Sequence, residues 1–389
     1  MKNIKYIISF IVVIAFILNI NIVIANSGNN FTIVVLPDTQ YYSESYPTIF
    51  SNQTQWIVDN KDNLNIVLVI HLGDIVDDLG SSSQWENANN SMSILDGNVT
   101  YGIVAGNHDI GNEVPSFNWA NYDTYFPESR LNNSSYWGGT NVSGTTRYYY
   151  YLFTESNTDF LVLFLAYGGN SPDTYEPLSW IDNVLTTYPN RKVILVTHSY
   201  LLSDGDYTTD GGQYIYDNIV SQYNNIKLVL CGHSIHDGEY HATKNESGHV
   251  FHELLSDYQE RTNGGNGWLR IMKFVPDENK IYVKTYSPYL DQYETDSDSQ
   301  FALDFEFNSS EQYTITLQQG YNMIGWTSQI PTNSSTLCNE VPYCDYVYKK
   351  NPDGSWITKH CGYPGGDFNI SRGYGFLAYI TQECNWTRE

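Results

Sequence analysis

The chain has 389 residues, more than one ordinary domain needs, with 43 acidic against 19 basic residues and a formal net charge of −24. Such a surface repels polyphosphate backbones, which excludes nucleic-acid binding by charge and fits solubility outside the cell. Beyond the first segment the apolar runs are strand-sized and end in charges or glycine, so no membrane span is expected in the mature chain.

In chain order, Lys2 and Lys5 precede an apolar run from Tyr6 to Leu18 broken by Ser9, and Ala25 offers a small residue beyond it. Residues 1–25 read as a secretory signal cut near Ala25–Asn26, the run being short for a hydrocarbon core of roughly 30 Å. Secretion or cell-surface display is the expected location. Asn-x-Ser/Thr sequons recur from Asn30 to Asn385 and permit glycosylation.

A strand is predicted over 31–36, a helix over 48–64, a strand over 65–72, a helix over 83–95 and a strand over 101–105. Residues 111–146 read as a long ordered loop, and 148–153 with 160–166 as a hairpin whose Tyr148 to Tyr151 run sends two tyrosines inward and two outward. Then come a helix over 176–187, a strand over 193–197, a helix over 212–223 and a strand over 227–231. From 250 the pattern is strands only: 250–255, 268–275 and 280–286, the last two joined by the turn 276–279, and finally 301–307. Alternating strands and helices of these lengths predict an α/β sandwich. The composition changes near Ser309, which places a first domain at 26–308 and a C-terminal β module at 309–389.

Acidic, amide and imidazole side chains cluster where these strands end. Asp38 and Gln40 follow the first strand, Gly73-Asp74 with Asp77 the second, and Gly106-Asn107-His108-Asp109 the third. His198 ends a later strand, and Gly232-His233 with His236 ends the next. Ligands of open α/β sheets bind outside the carboxyl ends of the strands. Asp, Asn, Gln and His without thiolate suit Mn, Fe or Zn, and Asp74 can bridge two ions that together promote hydrolysis of a phosphate ester.

These blocks resemble the calcineurin-like metallophosphoesterase superfamily over about 31–307, and Asp-x-Gln in the first block is similar to an exported branch of it, as is the stretch from Asp257 to Arg270. The resemblance implies a four-layer α-β-β-α sandwich and two divalent metal ions. It assigns Asp38, Gln40 and Asp74 to the first ion and Asp74, Asn107, His198 and His233 to the second. It makes His108 the general acid and Asp109 its orienting partner. Two departures weaken the first ion: Gln40 stands where the family has His, and His236 comes one residue later than the family's second His. The substrate would be a phosphomonoester or phosphodiester, attacked by a metal-bridging hydroxide. The alternative is a non-catalytic surface or adhesion protein keeping one structural metal.

The remaining candidates receive plainer readings. Asp77 is expected to hold a turn. His71, His249 and His360 are expected to pack or face solvent, with His241 and His252 as further candidates for lining the cleft. Arg261 and Arg270 are expected in salt bridges, with phosphate pairing as the alternative. Cys231 reads as a buried thiol, and Cys338, Cys344, Cys361 and Cys384 as two disulfides of open pairing. The C-terminal module is similar to small β modules of microbial, often archaeal, surface proteins. Its aromatics are expected in its core, with glycan or wall attachment as the other reading.

Overall fold

The computed structural model describes residues 30–112, 116–168, 178–234, 238–307, 313–325, 332–371 and 375–388. The proposed signal segment and His236 lie outside them. The chain divides into two compact units, Met1–Asn308 and Ser309–Glu389.

The first unit is built on two seven-stranded sheets. In one, β1 (Phe31–Leu36) runs parallel to β2 (Ile66–His71), which runs parallel to β3 (Tyr101–Ile103). The other seven-stranded sheet begins with β4 (Trp137–Thr140), β5 (Tyr148–Glu155) and β6 (Thr158–Leu165). There β6, β7 (Lys192–Thr197), β8 (Ile226–Cys231) and β10 (His249–Ser256) are successive parallel neighbours, and β10 pairs antiparallel with β9 (Glu239–Glu246). An antiparallel ribbon finishes the first sheet: β11 (Leu269–Val275) pairs with β1, and β12 (Lys280–Ser287) with β11. Beyond it, β13 (Gln292–Glu294) and β14 (Gln300–Asp304) both pair with β12.

The sheets face each other across one aromatic-rich core. Phe31 of β1 lies 5.6 Å from Phe160 of β6, and Tyr149 stacks on Phe164 at 4.5 Å. The Tyr149 and Tyr151 hydroxyls donate to the carbonyls of Ile103 and Tyr101, so even their polar tips are satisfied across the interface. The tyrosine run therefore corrects the expectation of alternate exposure. Tyr148, Tyr149 and Tyr151 are buried and Tyr150 is half-buried, because the helix Leu178–Thr187 covers the outer face through Trp180. The helices Pro47–Leu64 and Ser82–Met92 flank the first sheet, burying Ile49, Phe50 and Ile57 from one and Trp85, Ala88 and Met92 from the other. The layers are α-β-β-α.

Residues 111–146, read as a loop, hold the short helices Ala120–Tyr125 and Glu128–Leu131 as well as β4. The helix expected over 212–223 is α-helical only at Gly212–Asn218 and continues as a 3-10 turn, Val220–Gln222. Among the described residues no helix is long and apolar enough to cross a membrane.

The second unit is mostly strands. Its four-stranded antiparallel sheet runs in the order β15 (Gly320–Gly325), β18 (Gly375–Ile380), β16 (Cys344–Lys350), β17 (Trp356–His360). One face buries Ile324, Val347, Phe376, Ala378 and Ile380 against Leu337 and Trp386. Of the aromatics expected in the core, Phe368, Phe376 and Trp386 are there, whereas the tyrosines of this sheet lie on its other face, because strand alternation sends their positions outward. Tyr321, Tyr379, Tyr346 and His360 form one row across the four strands. Their successive ring centroids are 5.0, 6.4 and 4.3 Å apart. Tyr321 is 67% exposed. One disulfide, Cys338–Cys361, is present rather than two. Cys344 and Cys384 are thiols: Cys344 Sγ lies 3.5 Å from the Tyr346 carbonyl and 3.8 Å from Cys361 Sγ, and Cys384 Sγ lies 3.3 Å from the Pro342 carbonyl.

Candidate metal centre

The parallel strands β1, β2, β3, β7 and β8 bring the predicted residues to one end of the facing sheets. Backbone bonds tie their loops together: Thr39 N–H donates to Asp74 O at 3.0 Å and Gly232 N–H to His198 O at 3.0 Å. Gly106 is required by crowding, since a Cβ there would lie 2.1 Å from Asp74 Oδ1. Asp74 and His233 both have left-handed backbones, φ +48° and +71°. Such strain persists only where surroundings over-determine it, as at ligand sites.

Four donor atoms converge. His198 Nε2 lies 3.0 Å from Asn107 Oδ1, 3.2 Å from Asp74 Oδ2 and 3.1 Å from His233 Nδ1. The proton of His198 is on its other nitrogen, because Nδ1 lies 2.9 Å from the Leu72 carbonyl, which can only accept. His233 is fixed the same way, its Nε2 3.0 Å from Asp210 Oδ2. In the neutral tautomers, lone pairs of two nitrogens and two oxygens thus face one another. A cation resolves that repulsion, and this donor set fits Zn, Fe or Mn. The electrostatics agree. Burial alone would lower the pKa of His198, but the charge and hydrogen bond of Asp74, with the Leu72 carbonyl, reverse the shift upward. Asp74 is lowered despite its own burial by His198, His108 and His233. Positive charge is favoured at this point.

The first position is sparser. Asp38 Oδ2 accepts His233 N–H at 3.2 Å, while Asp38 Oδ1 and Gln40 Oε1 are buried without any donor. Burial, with the neighbouring Asp257 and Asp74 carboxyls, holds the Asp38 pKa well above the usual carboxylate range. Orphaned acceptors among buried acids again call for a cation.

His108 lies beside this pair, half-exposed. Its backbone N–H donates to Asp74 Oδ1 at 2.8 Å, and its Nδ1 lies 2.7 Å from Asp77 O and 3.5 Å from Asp77 Oδ1. Asp109 does not orient it, which corrects the expected role. The buried Asp109 carboxylate accepts the N–H groups of Ile75, Val76 and Gly106 at 2.8, 3.1 and 2.8 Å, clamping the loops after β2 and β3. Asp77, expected only to hold a turn, is the residue that positions His108.

The arginines stay out of the site. Arg270 Nη2 lies 3.3 Å from Glu239, and Arg261 bridges Glu239 at 3.2 Å and Glu294 at 2.7 Å. His241 and His252 do not line the cleft either: His241 stacks on Phe301 beside Ser297, and His252 bonds Thr243 and the Asp304 carbonyl. Asp210 escaped the sequence reading. It is the carboxylate behind His233, accepts the Ser199 hydroxyl at 2.5 Å, and lies 3.4 Å from the Tyr167 hydroxyl. Burial would raise its pKa, but the hydrogen bond and charge of His233, with Ser199 and Thr208, hold it below the usual range. Asp257 and Gln259, beside Asp38, were also missed. Asp210 comes from a loop without a local motif, and the resemblance of the stretch 257–270 assigns no role to Asp257 or Gln259; only the fold brings the three to the site.

The model of the calcineurin-like phosphoesterase family matches residues 31–237. In sequence, the chain is 37% identical over 282 residues to uncharacterized protein YvnB of Bacillus subtilis (strain 168), covering 69% of this chain and 21% of that protein. The chain therefore spans about a fifth of that relative's length. Two similar solved structures are GAP50, the anchor in the inner membrane complex of Plasmodium, and the purple acid phosphatase PPD1 from yellow lupin (Lupinus luteus) seeds. The first is 13% identical, with a TM-score of 0.44, covering 72% of this chain and 90% of that one. The second is also 13% identical, with a TM-score of 0.45, covering 71% and 54%.

Proposed function

The chain belongs to the calcineurin-like phosphoesterase family, and from that premise we propose that it is an exported, metal-dependent hydrolase of phosphomono- or phosphodiesters. The observation that carries this reading is the convergence of Asp74 Oδ2, Asn107 Oδ1 and His233 Nδ1 on His198 Nε2, at 3.2, 3.0 and 3.1 Å. These residues would hold one divalent ion, and Asp38, Gln40 and Asp74 a second. When bound, such a pair supplies Lewis acidity toward phosphoryl oxygens and a nucleophile from water at neutral pH. His108 gives a proton to the leaving oxygen, with its ring held through Nδ1 by Asp77. Asp109 fixes the two loops that carry Asp74 and Asn107. Asp210 fixes the tautomer and tilt of His233.

Export rests on Lys2, Lys5 and the apolar run that follows them. The row of Tyr321, exposed, with the half-buried Tyr379, Tyr346 and His360, supports attachment of the C-terminal module to a neutral surface glycan, since uncharged rings stack on sugar faces and phenol hydroxyls reach sugar hydroxyls. The test of catalysis is turnover of nitrophenyl phosphate and of its diester by the purified chain with Mn²⁺, Fe²⁺ or Zn²⁺. Turnover of either ester is expected. A folded chain inactive with every one of these metals would refute it.

A further inference from the structure

The surroundings of the centre are anionic. Among the described residues no Lys or Arg bonds to His108 or to any predicted ligand. Arg261 and Arg270 are held by Glu239, Arg147 by Asp123 and Lys244 by Glu253. Lys192 and Lys227 stand at the starts of β7 and β8, and Lys273 pairs with Thr32 at the start of β1, all at the strand ends away from the site. The stretches 113–115, 169–177 and 235–237 contain neither Lys nor Arg. Carboxylates stand at the centre instead. Asp77 Oδ1 lies 3.5 Å from His108 Nδ1, and Asp210 Oδ2 lies 3.0 Å from His233 Nε2. Gln259 Nε2 lies 3.0 Å from Asp257 Oδ2 and 3.5 Å from Asp38 Oδ2.

Apolar surface adjoins the imidazole side. The Tyr167 ring is 6.1 Å from that of His198 and 6.0 Å from that of His233. The half-buried Phe117 meets Tyr167 edge-on at 6.1 Å. The next residue ties Phe117 to the helix that carries Asn107 and His108, since Asn118 N–H donates to Ile110 O at 2.8 Å.

We propose that this centre hydrolyses phosphodiesters in preference to phosphomonoesters, with Phe117 packing against the ester group that stays on phosphorus. It rests on the phosphoesterase reading above and deepens it by naming the class of ester. A phosphomonoester carries a charge of about −1.5 to −2 at neutral pH, whereas a diester carries a single negative charge. The additional charge is ordinarily taken up by an Arg fork, and here it meets carboxylates. In a diester the corresponding oxygen bears carbon, which the ring of Phe117 can cover. Water adds to phosphorus, the bond from phosphorus to the leaving oxygen breaks, and that oxygen takes a proton from His108. The product is a monoester, which gains a charge and is expelled, so the reaction stops there.

The test gives the full, metal-loaded chain nitrophenyl phosphate and phenyl nitrophenyl phosphate, which share a leaving group. The diester should have a kcat/KM at least about tenfold higher, a gap that added salt narrows by screening the repulsion. Phosphorus NMR should show phenyl phosphate accumulating without inorganic phosphate. Calorimetric titration, which needs no turnover, should find diphenylphosphinate bound more tightly than phenylphosphonate, their charges matching those of diester and monoester. Phe117→Ala should lower kcat/KM about tenfold on the diester, through KM, and less on the monoester. Equal or faster turnover of nitrophenyl phosphate, or release of inorganic phosphate from the diester, overturns the assignment and leaves the phosphoesterase reading standing. Equal losses on both esters in Phe117→Ala overturn the role of that ring. Turnover of neither ester with any of the metals is a different failure: the phosphoesterase reading falls, and this inference with it.

Discussion

Asp210→Ala is the most informative single change at the imidazole-rich position. Asp210 touches one predicted ligand, His233, through the nitrogen that faces away from the metal position (Nε2, 3.0 Å), and its side chain is 24% exposed. Loss of such a hydrogen-bonded carboxylate behind a ligating imidazole weakens metal binding about 10- to 100-fold, or about 1.4–2.7 kcal/mol. With metal well above its dissociation constant, the metal's contribution to stability falls by the same amount. At about 2–4 °C per kcal/mol for a large domain, the metal-bound melting temperature should drop by about 3–11 °C. Asp210 also accepts the Ser199 hydroxyl, so part of the loss belongs to the fold itself, about 1 kcal/mol. That part is measured in chelator and subtracted. The assay is calorimetric unfolding of parent and variant, with and without Zn²⁺, alongside a direct Zn²⁺ titration. Equal Zn²⁺ affinity in parent and variant would refute the role given to Asp210 and weaken the assignment of His233 as a ligand.

Other expectations follow from the same geometry. His108→Ala should lower kcat by about 10²- to 10⁴-fold with metal content unchanged, checked by parallel turnover and metal analysis. Asp109→Ala should cost at least about 2 kcal/mol in denaturant unfolding, because three buried N–H groups lose their acceptor, and His108→Ala should not. The pKa of His71 is lowered to about 3 by burial first and then by His198; its Nδ1 accepts Gly73 N–H, so its ring is held neutral. Its stabilisation is complete above the unfolded value near 6.5 and is lost as pH falls toward 3. Between pH 6.5 and 5 that is about 2 kcal/mol, a slope that His71→Gln should flatten in urea titrations. Tyr379→Ala should release the chain from an insoluble neutral polysaccharide in a pull-down assay while leaving phosphatase turnover intact.

Much of the catalytic layout was legible because the chemistry sits at strand ends. Periodicity located β1, β2, β3, β7 and β8, and the residues after each could be read as a set. Asp77 and Asp109 were read in each other's place, because sequence shows that both neighbour the motif but not which one meets the His108 ring. Asp210 was invisible as a site residue, since it meets the site through His233, 23 residues away, and Gln259 likewise reaches Asp38 only through the fold. Tyr148 to Tyr151 misled because alternation predicts one wet face, and this sheet is covered on both. In the C-terminal module the same alternation operates, and the inner positions go to aliphatic residues with Phe376 and Trp386, which leaves the sheet's tyrosines outside.

The most direct test is a crystal of the chain soaked in Zn²⁺ and measured at the zinc absorption edge. The account predicts an anomalous peak about 2.0–2.2 Å from Asp74 Oδ2, Asn107 Oδ1, His198 Nε2 and His233 Nδ1 together. A water in that place, or hydrogen-bonded imidazoles with no peak at saturating Zn²⁺, would contradict it.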